Sequence, residues 1–287
     1  MSSIKTMSTW PRRIKNRNDI PDSFKPALNI GHDQTMPYCV YVPPAKYSEM
    51  NFHSYMITLL ENHIRISEIK ENQLSTQDFL YKDIHLVEKG IIILYGWLRI
   101  SIQINGHMET LKFKFNAVQE ELFEPIIERI RIECANKNYS SIDRSDHEPY
   151  DFLKKESLKL YNYSNKVFKN RTPLHSIFQP QVNTHMINAT ENNTISNRVL
   201  HMTEEELILI QEPKLNETKS NKRGGIWQYI ALSKINHIKI DSNQDENTSH
   251  LNIHFVNQNS LRIDFEEAKE IELYKITTEL DYIKNSR

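Results

Sequence analysis

Apolar and polar residues alternate on both sides of a tight-turn sequence near the middle of the first half of the chain. Every second residue is apolar from Leu98 to Ile104, and the alternation returns from Leu111 to Phe115. Asn105-Gly106 between these runs accepts the positive φ angles of a type I′ turn, whose twist matches that of paired strands. A two-residue turn would pair Leu98 with Phe113 and place both apolar rows on one face. The pattern predicts a β-hairpin with one face in a core.

Shorter apolar runs before this hairpin predict a β-meander. They cover residues 38–42, 55–60, 64–69, 74–81 and 91–95. Residues 1–35 combine three prolines with scattered charges and show no sustained period, so we expect an irregular lead-in there.

The period changes to that of a helix after Asn116, which can cap the helix N-terminus. Val118, Leu122 and Ile126 begin an apolar stripe with a spacing of four. Pro125 interrupts this stripe, because an interior proline removes a hydrogen bond and clashes with the preceding turn. Either the helix is kinked there, or it begins near Glu124 with Pro125 at its first position.

The same sequence of patterns returns about 150 residues later, in the second half of the chain. A hairpin pattern covers 251–265, with a turn at 257–259, and a helical stripe follows it. In that stripe Leu273 and Ile276 stand at the same distance from Phe265 as Phe123 and Ile126 do from Phe115. The chain therefore looks like two copies of one fold.

These patterns divide the chain into two domains and a connector. We predict a lead-in over 1–35, domain 1 over 36–136, a connector over 137–197 and domain 2 over 198–287. The connector contains one amphipathic helix at about 149–169, which could dock on either domain, and its part from 171 to 197 is rich in Pro and Asn and predicted to be irregular.

The composition indicates the class of protein but does not indicate its function. The 287 residues carry a net charge of -1, and 38% hydrophobic with 25% charged residues is ordinary for a globular protein. The mean hydropathy of -0.61 and the absence of a long apolar run argue against membrane spans and a secretory signal, so we expect a cytoplasmic protein. The two cysteines, Cys39 and Cys134, are too few for a disulfide framework and are expected in the core.

The repeated pattern resembles the pleckstrin-homology (PH) superfold, in particular bacterial PH-like and GRAM-like domains. The resemblance rests on the strand Leu207–Ile210 after a Thr203 lead, on the elements at 81–84 and 229–235, and on a final hairpin followed by a helix. It covers roughly 36–136 and 198–284. It implies an α+β protein made of two tandem PH-like bent antiparallel β-barrels, each capped by a C-terminal helix.

Lipid-binding members of this superfold use basic residues in the first loop between strands. Domain 1 has only Arg65 near its first turn, whereas domain 2 has a longer basic loop at about that place. Its candidate ligand-binding residues, which could hold a phosphate beside flexible glycines, are Lys214, Lys219, Lys222 and Arg223. The alternative is a solvated loop with incidental lysines.

Other groupings of polar residues do not suggest chemistry. His250 and His254 have the spacing of helical zinc ligands but fall on a strand, where four residues span about 13 Å. The sequence contains no phosphate-binding glycine loop or nucleophile motif, so we expect no catalytic residue, metal or cofactor.

The function predicted from the sequence is therefore a non-enzymatic binding or regulatory module, most simply one that binds a protein or peptide. Peripheral membrane binding through the loop 214–223 and the basic N-terminal tail is the alternative, and an enzyme of unrecognised type is the third. A neutral chain gives no reason to expect nucleic acid as a partner.

Overall fold

A computed structural model describes residues 8–28, 35–47, 50–135, 150–169, 172–184, 193–213, 224–243 and 247–285. The protein has an α+β fold of antiparallel sheets with a few helices. Its contacts divide it into two compact units. Unit 1 comprises Met1–Asn105 and Glu109–Cys134, and unit 2 comprises Gly106–Met108 and Ala135–Arg287.

Unit 1 contains a five-stranded sheet in the order β1-β2-β5-β6-β7, followed by the meander β8-β9-β10 and a helix. The strands are β1 (Arg12–Ile14), β2 (Cys39–Val42), β3 (Ala45–Tyr47), β4 (Met50–Phe52), β5 (Ser54–Leu59), β6 (His63–Lys70), β7 (Gln73–Leu80), β8 (Ile84–Ile92), β9 (Tyr95–Ile104) and β10 (His107–Asn116). The helix α1 is Glu124–Cys134, and short 3-10 segments occupy Arg17–Asp19, Asp22–Ala27, Tyr81–Asp83 and Ala117–Phe123.

Unit 2 begins with two short helices and continues with strands and a long final helix. The helices are α2 (Leu153–Glu156), α3 (Leu158–Phe168) and α4 (Glu270–Asn285). The strands are β11 (His175–Gln179), β12 (Val182–Thr184), β13 (Asn193–Ile195), β14 (Arg198–Met202), β15 (Glu206–Gln211), β16 (Gly224–Ala231), β17 (Ile235–Asn243), β18 (Thr248–Phe255) and β19 (Ser260–Glu266). β11, β14, β15 and β16 pair in sequence, and β17, β18 and β19 form a second sheet.

The two units repeat one order of elements. Apart from the additional strand β1 of unit 1, each unit has four strands paired in sequence, with a small two-stranded ribbon inserted between the first and second of them. A 3-10 turn, a three-stranded meander, another 3-10 turn and a helix follow in each unit. The register of the meander shifts at the same place, after Ile84 in unit 1 and after Ile235 in unit 2. Among the described residues, no ladder closes the strands of either unit into a barrel.

The hairpin predicted at Asn105-Gly106 is confirmed. Asn105 has a φ of 50° and Gly106 a φ of 84°, as a type I′ turn requires. The inward positions before and after the turn, from Leu98 to Ile102 and at Phe113 and Phe115, are buried. Cys39 and Cys134 are also buried, as predicted.

The helix after this hairpin follows the second of the two alternatives. Asn116 caps the chain by accepting a hydrogen bond from the amide of Val118 at 3.1 Å, but the first segment is a 3-10 helix containing the non-helical residue Gln119. The α-helix begins at Glu124, so Pro125 lies in its first turn, where its missing amide costs nothing.

The described part of the predicted lead-in, residues 8–28, is not irregular. Strand β1 pairs with β2, and the 3-10 segment Asp22–Ala27 packs against β6 and β7. Ile14, Phe24 and Leu28 join Cys39 in one hydrophobic cluster. Their spacing has neither a helical nor a strand period, which is why the sequence pattern did not reveal their burial.

The predicted connector helix is broken at Ser157, whose extended backbone separates α2 from α3 and whose side chain caps α3. Helix α3 packs on β15 in unit 2. Ser164 of α3 and Ser176 of β11 lie 2.8 Å from the two ring nitrogens of fully buried His201 on β14. This hydrogen-bonded trio, which we call the His201 lock, ties the helix to the sheet.

The part of 171–197 that the structure describes, residues 172–184 and 193–197, is not irregular either, because it contains β11, β12 and β13. No helix in the described part of the chain is long and apolar enough to cross a bilayer.

Candidate functional site

Strand β17 is the end strand of its sheet. One edge pairs with β18 from Ile235 to Asn243, and no described strand pairs with the other edge. After Ile235 every residue of β17 is exposed or half-buried. The outer edge of such a strand presents backbone N–H and C=O groups that can pair with an added strand.

Helix α4 runs beside β17 and is tied to it near both ends. Lys284 donates to the carbonyl of Ile235 at 2.6 Å and to that of Asn236, and Ser242 donates to the carboxylate of Glu270 at 2.8 Å. The helix is about 21 Å long between Glu270 and Lys284, and the strand is about 23 Å long between Ile235 and Ser242. The helix therefore accompanies nearly the whole strand, and we call β17 with α4 the β17 edge site.

The Lys284 tether is partly withdrawn from water. Burial lowers the pKa of the Lys284 amine, and the charge of Asp281 opposes this shift. The ammonium group therefore depends on the carbonyl oxygens of β17 for its hydrogen bonds.

One face of the sheet next to this edge is polar on all three strands. Directly paired residues share a face, and the pairing gives three rows across the sheet. The rows are His237, His254 and Ser260; Lys239, Asn252 and Arg262; and Asp241, His250 and Asp264.

His250 lies at the centre of the hydrogen bonds on this polar face. Its Nδ1 is 3.0 Å from Asp264 Oδ1, and its Nε2 is 2.9 Å from an Nη2 of Arg262. Arg262 also donates through Nε to Asp264 at 2.7 Å, and Arg198 donates to the Asp264 carbonyl at 3.0 Å. The bonds link β14, β18 and β19 into one polar network.

The charges of this network shift two carboxylates toward the ionised form. Burial tends to raise the pKa of Asp264, but the hydrogen bond and charge of Arg262, with His250 and Arg198, outweigh it and hold the pKa below its usual value. Asp241 has a lowered pKa mainly because Lys239 bonds to it, with Nζ 2.6 Å from Oδ1. Both side chains are partners for cations on their own sheet.

A hydroxyl and a carboxylate lie on either side of the His250 ring, as in a nucleophile–base–acid triad. Their geometry indicates a structural role and not a catalytic one. Thr248 Oγ1 is 3.4 Å from His250 Nε2, and Thr248 is buried. Arg262 Nη2 can only donate, and at 2.9 Å it is nearer to Nε2 than the Thr248 hydroxyl is. A general base needs the lone pair of that nitrogen for the nucleophile.

His237 and His254 form a second histidine pair, across the strands rather than along one. Their rings are stacked with centroids 4.3 Å apart. Within the described residues, no three or more His, Cys, Asp and Glu side chains are grouped so that they could hold a metal ion.

The basic residues predicted as ligands, Lys214, Lys219, Lys222 and Arg223, lie outside the described residues. In the sequence they stand between β15 and β16, and their role as ligands stays a prediction. Arg65 of unit 1 lies on β6 and binds Asp78 through two hydrogen bonds of 2.7 Å.

Sequence reasoning missed the β17 edge site and the network around His250. The sequence paired His250 with His254 along one strand, whereas the closest partners of His250, Asp264 and Arg262, are on the neighbouring strand β19. The alternation of polar residues from His237 to Asp241 and from His250 to His254 was the available signal.

The search against protein-family models finds no match to this chain, and the search of curated proteins finds no significant relative.

Proposed function

We propose that this chain is a non-enzymatic binding protein built from two tandem PH-like units, and that its ligand is an extended segment of another protein. The shared order of elements in the two units, including the register shift at the same place in each meander, supports the PH-like assignment. Function then depends on the surfaces that the fold leaves open, because a fold of this kind serves several roles.

The β17 edge site is the observation that carries this proposal. An extended peptide can add to a sheet edge through main-chain hydrogen bonds, while alternate side chains enter neighbouring pockets and give specificity. Strand β17 offers such an edge from His237 to Asn243, beyond the Ile235 and Asn236 carbonyls that Lys284 holds, and α4 runs beside it. Side chains of the added strand would lie beside Lys239 and Asp241 on the polar face.

The experiment selects ligands from a random peptide library displayed on phage, using the full chain as bait. The binding of selected peptides is then measured for two variants, Lys239→Pro and Ile240→Pro. Successive amides of a strand point to opposite edges, so one proline removes only an outward N–H and the other breaks the ladder to β18. Thermal unfolding identifies the variant that keeps its sheet.

The variant with an intact sheet is expected to lose about tenfold or more in peptide affinity. Thr76→Pro in β7, another exposed end strand, is the matched control and should bind normally. A library that yields no specific peptide, or peptides that bind all folded variants equally, would contradict the proposal.

A further inference from the structure

The turn between β8 and β9 is made of two exposed aliphatic residues. Ile93 is 51% exposed and Leu94 is 58% exposed. We call this turn, together with Val118, the apolar tip of unit 1. Exposed single aliphatic residues are ordinary, but two at the end of a hairpin form a projecting apolar surface.

The turn residues are poor choices for the backbone that they adopt. Ile93 has a φ of 55°, a left-handed conformation that a β-branched residue rarely takes. The next turn of the same meander, Asn105-Gly106, has residues suited to positive φ. Folding alone would favour Gly or Asn at position 93, so a role outside folding accounts better for Ile93-Leu94.

The apolar tip is held in place by the segment that follows β10. The amide of Ala117 donates to the carbonyl of Leu94 at 2.9 Å. Val118, the next residue in the chain, is 38% exposed. A ligand of this tip would therefore meet a preformed surface, which lowers the entropy cost of binding.

Cations lie on the strand that packs against this same segment. Strand β1 contacts the 3-10 segment Ala117–Phe123. The Tyr38 hydroxyl donates to the Leu122 carbonyl at 2.8 Å, and the guanidinium of Arg13 lies over the Tyr38 ring at 4.6 Å from its centroid. Arg12 and Arg13 of β1, and Lys15 directly after it, are exposed.

We propose that unit 1 docks on an anionic membrane surface, with the apolar tip inserted among the lipids and the cations of β1 facing the headgroups. Aliphatic side chains gain free energy on leaving water for the acyl boundary, and each cation near an anionic leaflet adds electrostatic attraction. The residues between β17 and β18 of unit 2, Gln244 to Asn247, are acidic and not apolar in sequence, so the property belongs to unit 1. This inference goes beyond peptide binding and involves different residues.

Sedimentation of the full chain with vesicles tests the proposal. Vesicles of phosphatidylcholine with phosphatidylserine are compared with vesicles of phosphatidylcholine alone. The double variant Ile93→Gly, Leu94→Asn replaces the tip by a sequence suited to a tight turn, so its fold is expected to be at least as stable. We expect it to lose about tenfold or more in partitioning to the anionic vesicles.

A fluorophore on Leu94→Cys gives a second measurement, because Cys39 and Cys134 are buried and should not compete for a thiol-reactive label. Its emission is expected to shift to the blue on anionic vesicles, and Arg12→Gln with Arg13→Gln is expected to weaken that response. Absence of vesicle binding, equal binding by the folded double variant, or an unshifted emission would overturn the proposal. A loss of binding only in Lys222→Ala, Arg223→Ala would place the contact at the loop 214–223 instead.

Discussion

The His201 lock predicts that acid destabilises unit 2 through one imidazole. His201 is fully buried, with a serine hydroxyl 2.8 Å from each ring nitrogen. Tyr150 and Phe168 pack edge-on against the ring, at centroid distances of 5.6 and 4.8 Å. Burial lowers the pKa of His201 from 6.5 to about 3.

The direction of the pH effect on stability follows from the difference in the pKa of His201 between the folded and unfolded chains. Below a pH of about 6.5 the unfolded chain binds a proton at His201, whereas the folded chain does not until the pH falls to about 3. The contribution of His201 to stability is therefore complete near neutral pH and is lost progressively as the pH falls toward about 3. Between a pH of about 7.5 and about 5, one such group removes about 2 kcal/mol from the free energy of unfolding.

Urea unfolding followed by circular dichroism at these two pH values measures the effect. The His201→Gln variant cannot titrate, so the change in free energy between the two pH values should be smaller in the variant by about 2 kcal/mol. The other eleven of the 12 histidines cancel in this comparison. His237→Gln, at an exposed position, is the control for the loss of a histidine outside the His201 lock. Equal pH dependence in wild type and His201→Gln would refute the buried neutral imidazole.

Two further substitutions test the packing of each unit by urea unfolding. Ser164→Ala leaves a buried ring nitrogen of His201 without its partner, so it is expected to lower the free energy of unfolding by about 1–3 kcal/mol. An unchanged free energy would mean that the contact between helix α3 and His201 is not formed. A Cβ at Gly90 would lie 1.9 Å from the ring of Trp97, so Gly90→Ala is expected to cost about 1–3 kcal/mol in unit 1, and wild-type stability would contradict the close approach.

Local signals in the sequence were sufficient for elements whose geometry is set within a few residues. Asn105-Gly106 fixes its hairpin because few other residue pairs accept two positive φ angles. Asn116 and Pro125 predicted the start of the helix segment for similar reasons. The repeat was visible because the helical core positions Phe123 and Ile126 recur as Leu273 and Ile276, at the same distance from the preceding hairpin.

Elements that depend on distant partners were not predictable in this way. Strand β1 is three residues long and exists through its pairing with β2, and Phe24 is buried by a 3-10 segment without a period. A buried polar pair across two strands can also be recognised only when the register of those strands is known. Cys39 faces Thr58 in unit 1 and Ser176 faces His201 in unit 2, at corresponding strand positions.

The candidate site was hidden for a related reason. The outer edge of β17 is a property of sheet order, and the tether between Lys284 and Ile235 spans 49 positions in sequence. The pattern of β17 alone does not distinguish an end strand from a central one. The residues that the sequence did favour, such as Lys222, were chosen by charge and fall outside the described residues.

Hydrogen–deuterium exchange of the full chain, with and without a selected peptide, tests the central claim most directly. If the ligand adds as a strand, the amides of residues 235–243 become protected on binding while those of residues 73–80 in β7 do not change. Protection confined to other segments, with β17 exchanging as it does in the free protein, would contradict the account.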